Sequence, residues 1–383
     1  MKQSLRFFHI SDLHLGKRLF ERSLIEDQEY ILGEILSLAD VEKPDAVVIA
    51  GDVYDKGVPV VEAVKLFDSF LCALSERNIR SLVIAGNHDS SERLSFAARL
   101  LDKSGVHIAG VFNGAAERVV MHDEFGRFNF YLLPFIKPAD ARRFYDEEEI
   151  ESYTDAVAAA VKHSDVDLNE RNVLVTHQFV TGATRCDSED ISVGGTDNVS
   201  LEVFDGFDYV ALGHIHSPQN AGSEKVRYCG TPLKYSFSEV GHKKSVSIVE
   251  INEKGSLRVR QSLLSPLRDA AELRGSYSQL MMKSFYGFNP DRESYLKIVL
   301  TDQQLIPDVA DRLRTVYPNL LRVEYEALND KSAGERQEEL SRRDNLTPDE
   351  MFAEFYKAVN NIELTGSQAR YIRTLFEEEE DDS

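Results

Sequence analysis

Five short segments of this chain carry side chains suited to binding metal ions. They are Asp12-Leu13-His14, Gly51-Asp52, Gly86-Asn87-His88-Asp89, Thr176-His177 and Gly213-His214-Ile215-His216. The donors they offer are carboxylates, imidazoles and one amide, with no thiolate. That mixture suits hard-to-borderline divalent ions such as manganese better than a structural zinc. Each segment alone is weak, since Asp-x-His occurs on many surface loops and Gly-Asp is a common turn. Their weight lies in their order and placement, because each directly follows an apolar, β-rich run.

The runs are Leu5 to Ile10, Ala46 to Ala50, Ser81 to Ala85, Val173 to Thr176 and Tyr209 to Leu212. Most are continuously apolar rather than alternating, which is the pattern of strands covered on both faces. Helical periodicity fills the intervals at Ile25 to Leu38, Val61 to Arg77 and Ser91 to Lys103. Strands alternating with helices give a mostly parallel sheet. Ligands of such sheets gather beyond the carboxyl ends of the strands, where all five segments fall. By the alternation of strand faces, His9 points away from Asp12 and is read as structural.

With 383 residues, 42% of them hydrophobic, the chain can form two or three domains around a sizeable core. Cys72, Cys186 and Cys229 form no CxxC pair, which points to a reduced compartment. The first apolar run stops at Ser11-Asp12, too short for a signal peptide, and no run reaches membrane-spanning length. Export and membrane insertion are therefore not expected, and a cytoplasmic location is. The formal charge of −21 is unusual for a protein that meets nucleic acid alone. Part of it is the acidic run from Glu377 to Asp382, expected to be a solvated tail. If the substrate is a phosphodiester, bound cations or a basic partner must supply the attraction.

The five segments and their surroundings resemble the calcineurin-like metallophosphoesterase superfamily and, within it, the SbcD family of bacterial nucleases. The narrower resemblance is carried by Ser11 to Gly16, Ala50 to Asp55, Ala85 to Ser90, Tyr209 to His216, Val226 to Pro232 and Ser236 to Glu239. It covers residues 4–250 strongly, 265–330 more loosely, and is weakest after 340. Thr231 stands where that family usually has Ser, and Lys234 is also a departure. The resemblance implies an α/β fold: a two-layered β-sandwich flanked by helices, with a small α/β capping domain and C-terminal helices.

Carried over position by position, the resemblance assigns Asp12, His14 and His216 to one ion, Asn87, His177 and His214 to a second, and Asp52 to both. Ions bridged in this way lie about 3.5–4 Å apart, activating water while holding phosphate oxygens. His88 is implied as the group that assists the leaving sugar oxygen, with Asp55 orienting its ring and Asp89 as the alternative. The implied activity is manganese-dependent hydrolysis of DNA, exonucleolytic in the 3′-to-5′ sense on duplex ends and endonucleolytic on single strands and hairpins. It belongs to DNA repair, recombination and replication, with the ATPase SbcC as partner, and suggests nucleoid association. A phosphoesterase acting on small phosphodiesters or phosphoproteins is the alternative. Phosphoprotein phosphatases usually carry Asn-His-Glu where this chain has Asn87-His88-Asp89.

The remaining sequence sorts into domains. Residues 1–264 form the expected nuclease domain and 265–330 the capping domain, with strands at Leu296 to Leu300 and Leu320 to Tyr325 around a helix at Pro307 to Tyr317. Val226 to Ile251 reads as a second, more antiparallel layer. Val180 to Ser200, rich in Gly, Thr, Ser and Asp, is a long loop beside His177. Residues 331–345 read as a polar linker, 346–376 as a helical arm that the resemblance implies binds SbcC, with folding back on the capping unit as the other reading, and 377–383 as the acidic tail. Lys17, Arg18, Arg22, Lys137, Arg142 and Arg143 are candidate phosphate contacts, though each alone is ordinarily solvated charge. Leu94, Phe96, Ala97, Leu100 and Leu101 give a homodimer through helices beside the second and third segments a plausible apolar face. Packing of that face on its own sheet is nearly as good a reading.

Overall fold

The computed structural model describes residues 4–184, 197–326, 356, 364–366 and 368. Two six-stranded sheets dominate. In the first the order is Leu257–Leu263, Ser245–Ile251, Arg6–Ile10, Ala46–Ala50, Arg80–Ile84, Val106–Ala109. The last four run parallel, and the first two are antiparallel additions at one edge. In the second the order is Gln219–Ala221, Ser223–Tyr228, Tyr209–Gly213, Arg171–His177, Gly126–Leu133, Glu117–Asp123. Its four central strands are parallel and both edges antiparallel.

The period-2 geometry of a strand explains the continuous apolar runs. Phe7, Val48, Ala50, Leu82 and Ile84 point inward and pack against Phe128, Phe130, Val173, Val175 and Tyr209 of the facing sheet. Their neighbours Phe8, Ile10, Val47, Ile49 and Val83 point outward, under Leu32 and Ile35 of the Ile25–Glu42 helix and Phe67, Phe70 and Leu74 of the Val61–Glu76 helix. On the other side, Leu174, Val210 and Leu212 are covered by Ala156, Val157 and Ala160 of the Tyr153–Lys162 helix and by Phe204 and Phe207. The result is helix, sheet, sheet, helix, the sandwich of the metallophosphoesterase fold. His9 lies in the inter-sheet layer, with Nδ1 2.9 Å from the Tyr209 hydroxyl.

Two expectations are corrected. Val226 to Ile251 is not one layer: Ser223–Tyr228 pairs parallel to Tyr209–Gly213 in the second sheet, whereas Ser245–Ile251 pairs antiparallel to Arg6–Ile10 in the first. The buried turn around Thr231 carries the chain from one sheet to the other, a crossover that apolar pattern does not reveal. The segment from Ser91 is also not one helix. It breaks into Ser91–Leu94 and Ala98–Leu101, with Ala97 between them at φ +60°. Leu94 is thereby buried in the core under the first sheet, while Phe96 and Leu100 are exposed.

The chain divides into two compact units, the first being residues 1–272 with 290–297 and 317–321. Among the described residues, the second comprises 273–289, 298–316 and those from 322 onward. Several stretches expected in the capping domain thus cluster with the first unit. A three-stranded sheet takes Ala270–Gly275, Tyr295–Leu300 and Leu320–Tyr325 in that order, and the helix expected before Leu320 runs over Val309–Arg314. The linker 331–345 and the acidic tail 377–383 lie outside the described residues, as do the arm 346–376 apart from isolated positions and most of the loop from 180 to 200. No helix among the described residues is long and apolar enough to cross a membrane.

Candidate metal centre

All seven candidate ligands converge where carboxyl ends of strands from both sheets meet. Asp12, Asp52 and Asn87 follow strands of the first sheet, and His177, His214 and His216 end or follow strands of the second. Backbone bonds splice the loops together. Asp12 N donates to Gly51 O at 3.0 Å, His14 N to Asp52 O at 2.9 Å and Leu15 N to Val53 O at 2.9 Å. Across the sheets, His214 N donates to Asp12 Oδ1 at 3.0 Å. Gln28 holds the first loop from below, with Nε2 on His14 O at 2.8 Å and Oε1 accepting from Gly16 N at 3.0 Å.

The backbone is strained at these loops. Asp12, His14, Asp52 and His214 have φ of +53°, +42°, +49° and +98°. Such angles are uncommon without glycine and collect at functional sites. Glycine permits the closest approaches. A Cβ on Gly86 would stand 2.1 Å from Asp52 Oδ1, and one on Gly213 1.8 Å from Ala50 O.

The side chains form a continuous cluster, buried except for the half-buried Asn87. His14 Nε2 lies 3.3 Å from His216 Nε2 and 3.7 Å from Asp52 Oδ2. Asp52 Oδ2 lies 3.3 Å from His177 Nε2. Asn87 Oδ1 is 3.0 Å from His177 Nε2 and 3.0 Å from His214 Nδ1. Donor atoms of Asp12, His14 and His216 gather within 4.8 Å of one another, as do those of Asp12, Asp52 and His177, and those of His14, Asp52 and His88. Asp52 Oδ2 thus lies near both His14 and His177, and Asp52 belongs to two of these three groups. Asp12, Asp52, His14 and His177 are all at most 2% exposed.

Electrostatics without an ion are uneven. Burial pushes the Asp12 carboxyl up to about 6, with the His177 ring restraining the rise. Burial also works against charge on Asp52, yet the imidazoles around it, His177 foremost, hold it well below the usual carboxylate range. Burial disfavours a charged His177, but the carboxylates of Asp52 and Asp12 outweigh it and lift the ring to about 9. Burial keeps His14 well below its ordinary value, so it is neutral. Two imidazole nitrogens facing each other at 3.3 Å around a buried carboxylate make a poor hydrogen-bond network and a good ligand set. The residues present fit divalent cations.

His88 sits at the rim, its backbone N–H on Asp52 Oδ1 at 2.9 Å and its Nε2 3.9 Å from Asp52 Oδ2. Its Nδ1 lies 3.1 Å from the backbone carbonyl of Asp55. The Asp55 carboxylate instead pairs with Lys17 at 2.7 Å. The expected contact thus involves a different atom of Asp55. Asp89 turns its carboxylate to the backbone, accepting from Val53 N, Tyr54 N and Gly86 N at 2.9–3.0 Å. It ties the Asp52 loop to the Asn87 loop. Sequence reasoning missed this tie, and it missed Glu239, buried 3.2 Å from His216 Nδ1. The Ser236-to-Glu239 motif was the signal for the latter. Arg142 donates to Ile150 O at 3.1 Å, and Arg22 to Asn319 Oδ1 at 2.8 Å, so neither is a wholly uncommitted cation.

The model of the calcineurin-like phosphoesterases matches residues 5–218, more than half of the chain. The chain belongs to that family. The type 5 capsule protein repressor C-terminal domain model matches residues 266–360. Within the family, the D-subunit of the nuclease SbcCD from Staphylococcus saprophyticus subsp. saprophyticus is 31% identical over 376 residues, covering 97% of each chain. Among solved structures, a dimetal phosphatase from Danio rerio aligns with 12% identity and a TM-score of 0.40, over 68% of this chain and 96% of its own. A protein from Thermus thermophilus aligns with 14% identity and a TM-score of 0.39, over 68% of this chain and 99% of its own.

Proposed function

We propose that this chain is the nuclease subunit of an SbcCD-type complex and hydrolyses DNA phosphodiesters with two bound divalent cations, manganese being the best match to its donors. The observation that carries this is the buried Asp52 carboxylate, with Oδ2 near both His14 and His177. The full-length similarity to a nuclease subunit supports DNA as the substrate. When bound, the cations supply a polarised water and neutralise phosphate oxygens.

The chain's own residues do the rest. Asp12, His14 and His216 would hold one cation, Asn87, His177 and His214 the other, and Asp52 would serve both. The backbone carbonyl of Asp55 accepts the His88 Nδ1 proton, which turns Nε2 toward the cluster. From there the imidazolium form gives its Nε2 proton to the leaving sugar oxygen, which leaves a neutral ring still donating from Nδ1 to Asp55 O. The reaction is 3′-to-5′ exonucleolysis at duplex ends and endonucleolysis of single strands and hairpins, in DNA repair, recombination and replication in the cytoplasm, at the nucleoid.

Residues 265–330 serve as the cap and 346–376 as the arm that docks on the ATPase SbcC, a reading supported by the second family match over 266–360. The chain pairs with a second copy. Exposed Val61 and Val64 on one helix and exposed Phe96 and Leu100 beyond it support this, because large apolar side chains in water favour burial in an interface. The activity is tested on labelled hairpin DNA against p-nitrophenyl phosphate, with manganese and with chelator. Manganese-dependent hairpin cleavage is expected. Turnover of the small ester with intact DNA would reject the reading.

A further inference from the structure

The His216 ring rests on a buried support outside the seven ligands. Its Nδ1 lies 3.2 Å from Oε1 of Glu239, which is fully buried. An ionised carboxylate only accepts, so Nδ1 carries the proton and Nε2 keeps its lone pair. That lone pair faces the Asp12 and His14 donors. The second Glu239 oxygen lies 2.5 Å from Lys244 Nζ. The ammonium also donates to Thr231 Oγ1 at 2.6 Å and to the backbone carbonyl of His216 at 2.9 Å. Three N–H groups thus meet three buried acceptors. Thr231 gives its own hydroxyl proton to Leu233 O at 2.7 Å, which leaves its oxygen free to accept from Lys244. The contacts run from Lys244 through Glu239 to His216, whose Nε2 faces the other donors.

We propose that Glu239 and Lys244 are positioning residues for one cation alone, fixing the tautomer and aim of His216. The Asp12–His14–His216 side of the centre then depends on them and the Asn87–His177–His214 side does not. The inference rests on the two-cation reading. Such outer partners of a metal-binding imidazole set ligand orientation and basicity, and their loss typically lowers affinity about 10- to 100-fold. Lys244 is the third member because a carboxylate with no exposure to water needs a compensating cation.

The test is manganese titration by calorimetry, with electron paramagnetic resonance of the loaded protein, on the wild type, Glu239→Gln and Glu239→Asp. In Glu239→Gln one of two ions is expected to weaken about 10- to 100-fold while the other holds. The exchange-coupled pair signal should then give way to that of an isolated ion at one equivalent. Glu239→Asp keeps the charge but shortens the side chain by one methylene, which draws the carboxylate away from the ring, and the same ion should weaken. Two ions bound with wild-type affinity in both variants would overturn the proposal. So would equal weakening of both ions, or a fall in metal-free melting temperature in Glu239→Gln that Glu239→Asp restores together with full binding. A wild type that binds fewer than two ions is a separate outcome and overturns the two-cation reading itself.

Discussion

At the scale of single residues, the centre separates holding cations from moving protons. Asp52→Asn removes the carboxylate shared by both donor groups, so nuclease activity should vanish and ion affinity fall, as read by calorimetry. On the proposed assignment His88 holds neither cation, although its donor atom gathers with those of His14 and Asp52. His88→Gln should lose about 10²–10⁴ in rate while still taking up two ions, because only the acid step is lost. Asp55→Ala leaves the backbone carbonyl that meets His88 Nδ1 in place, so its activity should stay close to wild type. A loss as large as that of His88→Gln would assign the role to the carboxylate. The protons also set a pH dependence. Cation binding needs Asp12 ionised and His177 neutral, whereas the metal-free values are raised to about 6 and about 9. Both shifts are upward, so each stabilises the metal-free fold at low pH and loses that effect as pH rises through the raised value. The cation must displace those protons, so manganese affinity should climb between those two values, from about pH 6 to about pH 9. Calorimetry in buffers of different ionisation enthalpy should show proton release on binding. Affinity that is flat over this range would contradict the assignment.

At the scale of elements, the ligand loops work because glycine lets them touch. Gly86→Ala would place a methyl 2.1 Å from Asp52 Oδ1. It should therefore cost ion binding far more than a surface Gly→Ala change such as Gly33→Ala, where nothing lies within 4 Å. Comparable manganese affinity in the two variants would show that the Asp52 loop has room to spare. Much of this was legible in the chain. Both-face burial made the strands around Val48, Val83, Val175 and Ala211 continuous in apolar residues, and their ends marked the ligand loops. The crossing of the chain between sheets after Tyr228 was not legible, since either sheet accepts an apolar strand. Nor was the break at Ala97, where the periodicity of the flanking residues runs on through a left-handed residue. The contacts made by Asp55 and Asp89 were hidden for another reason. Sequence offers a carboxylate, and only the packed loops decide whether it meets a ring, a lysine or three backbone N–H groups.

For the whole molecule, the formal charge of −21 has to coexist with a polyanionic substrate. The two proposed cations at the centre and a basic partner surface would reconcile them. Truncation after residue 335 should leave manganese-dependent cleavage of single-stranded DNA intact and abolish both association with SbcC and ATP-dependent cleavage of duplex ends. Co-purification of the truncated chain with SbcC at full yield would show that the dock lies elsewhere. Light scattering at micromolar concentration should give the mass of two chains, and Phe96→Asp with Leu100→Asp should reduce it to one. The pair of ions proposed around Asp52 is observed most directly by anomalous diffraction from manganese-loaded crystals. Two anomalous peaks are predicted, about 3.5–4 Å apart, flanking the Asp52 carboxylate, with Asp12, His14 and His216 around one and Asn87, His177 and His214 around the other. A single peak, or two peaks with Asp52 bound to neither, would contradict it.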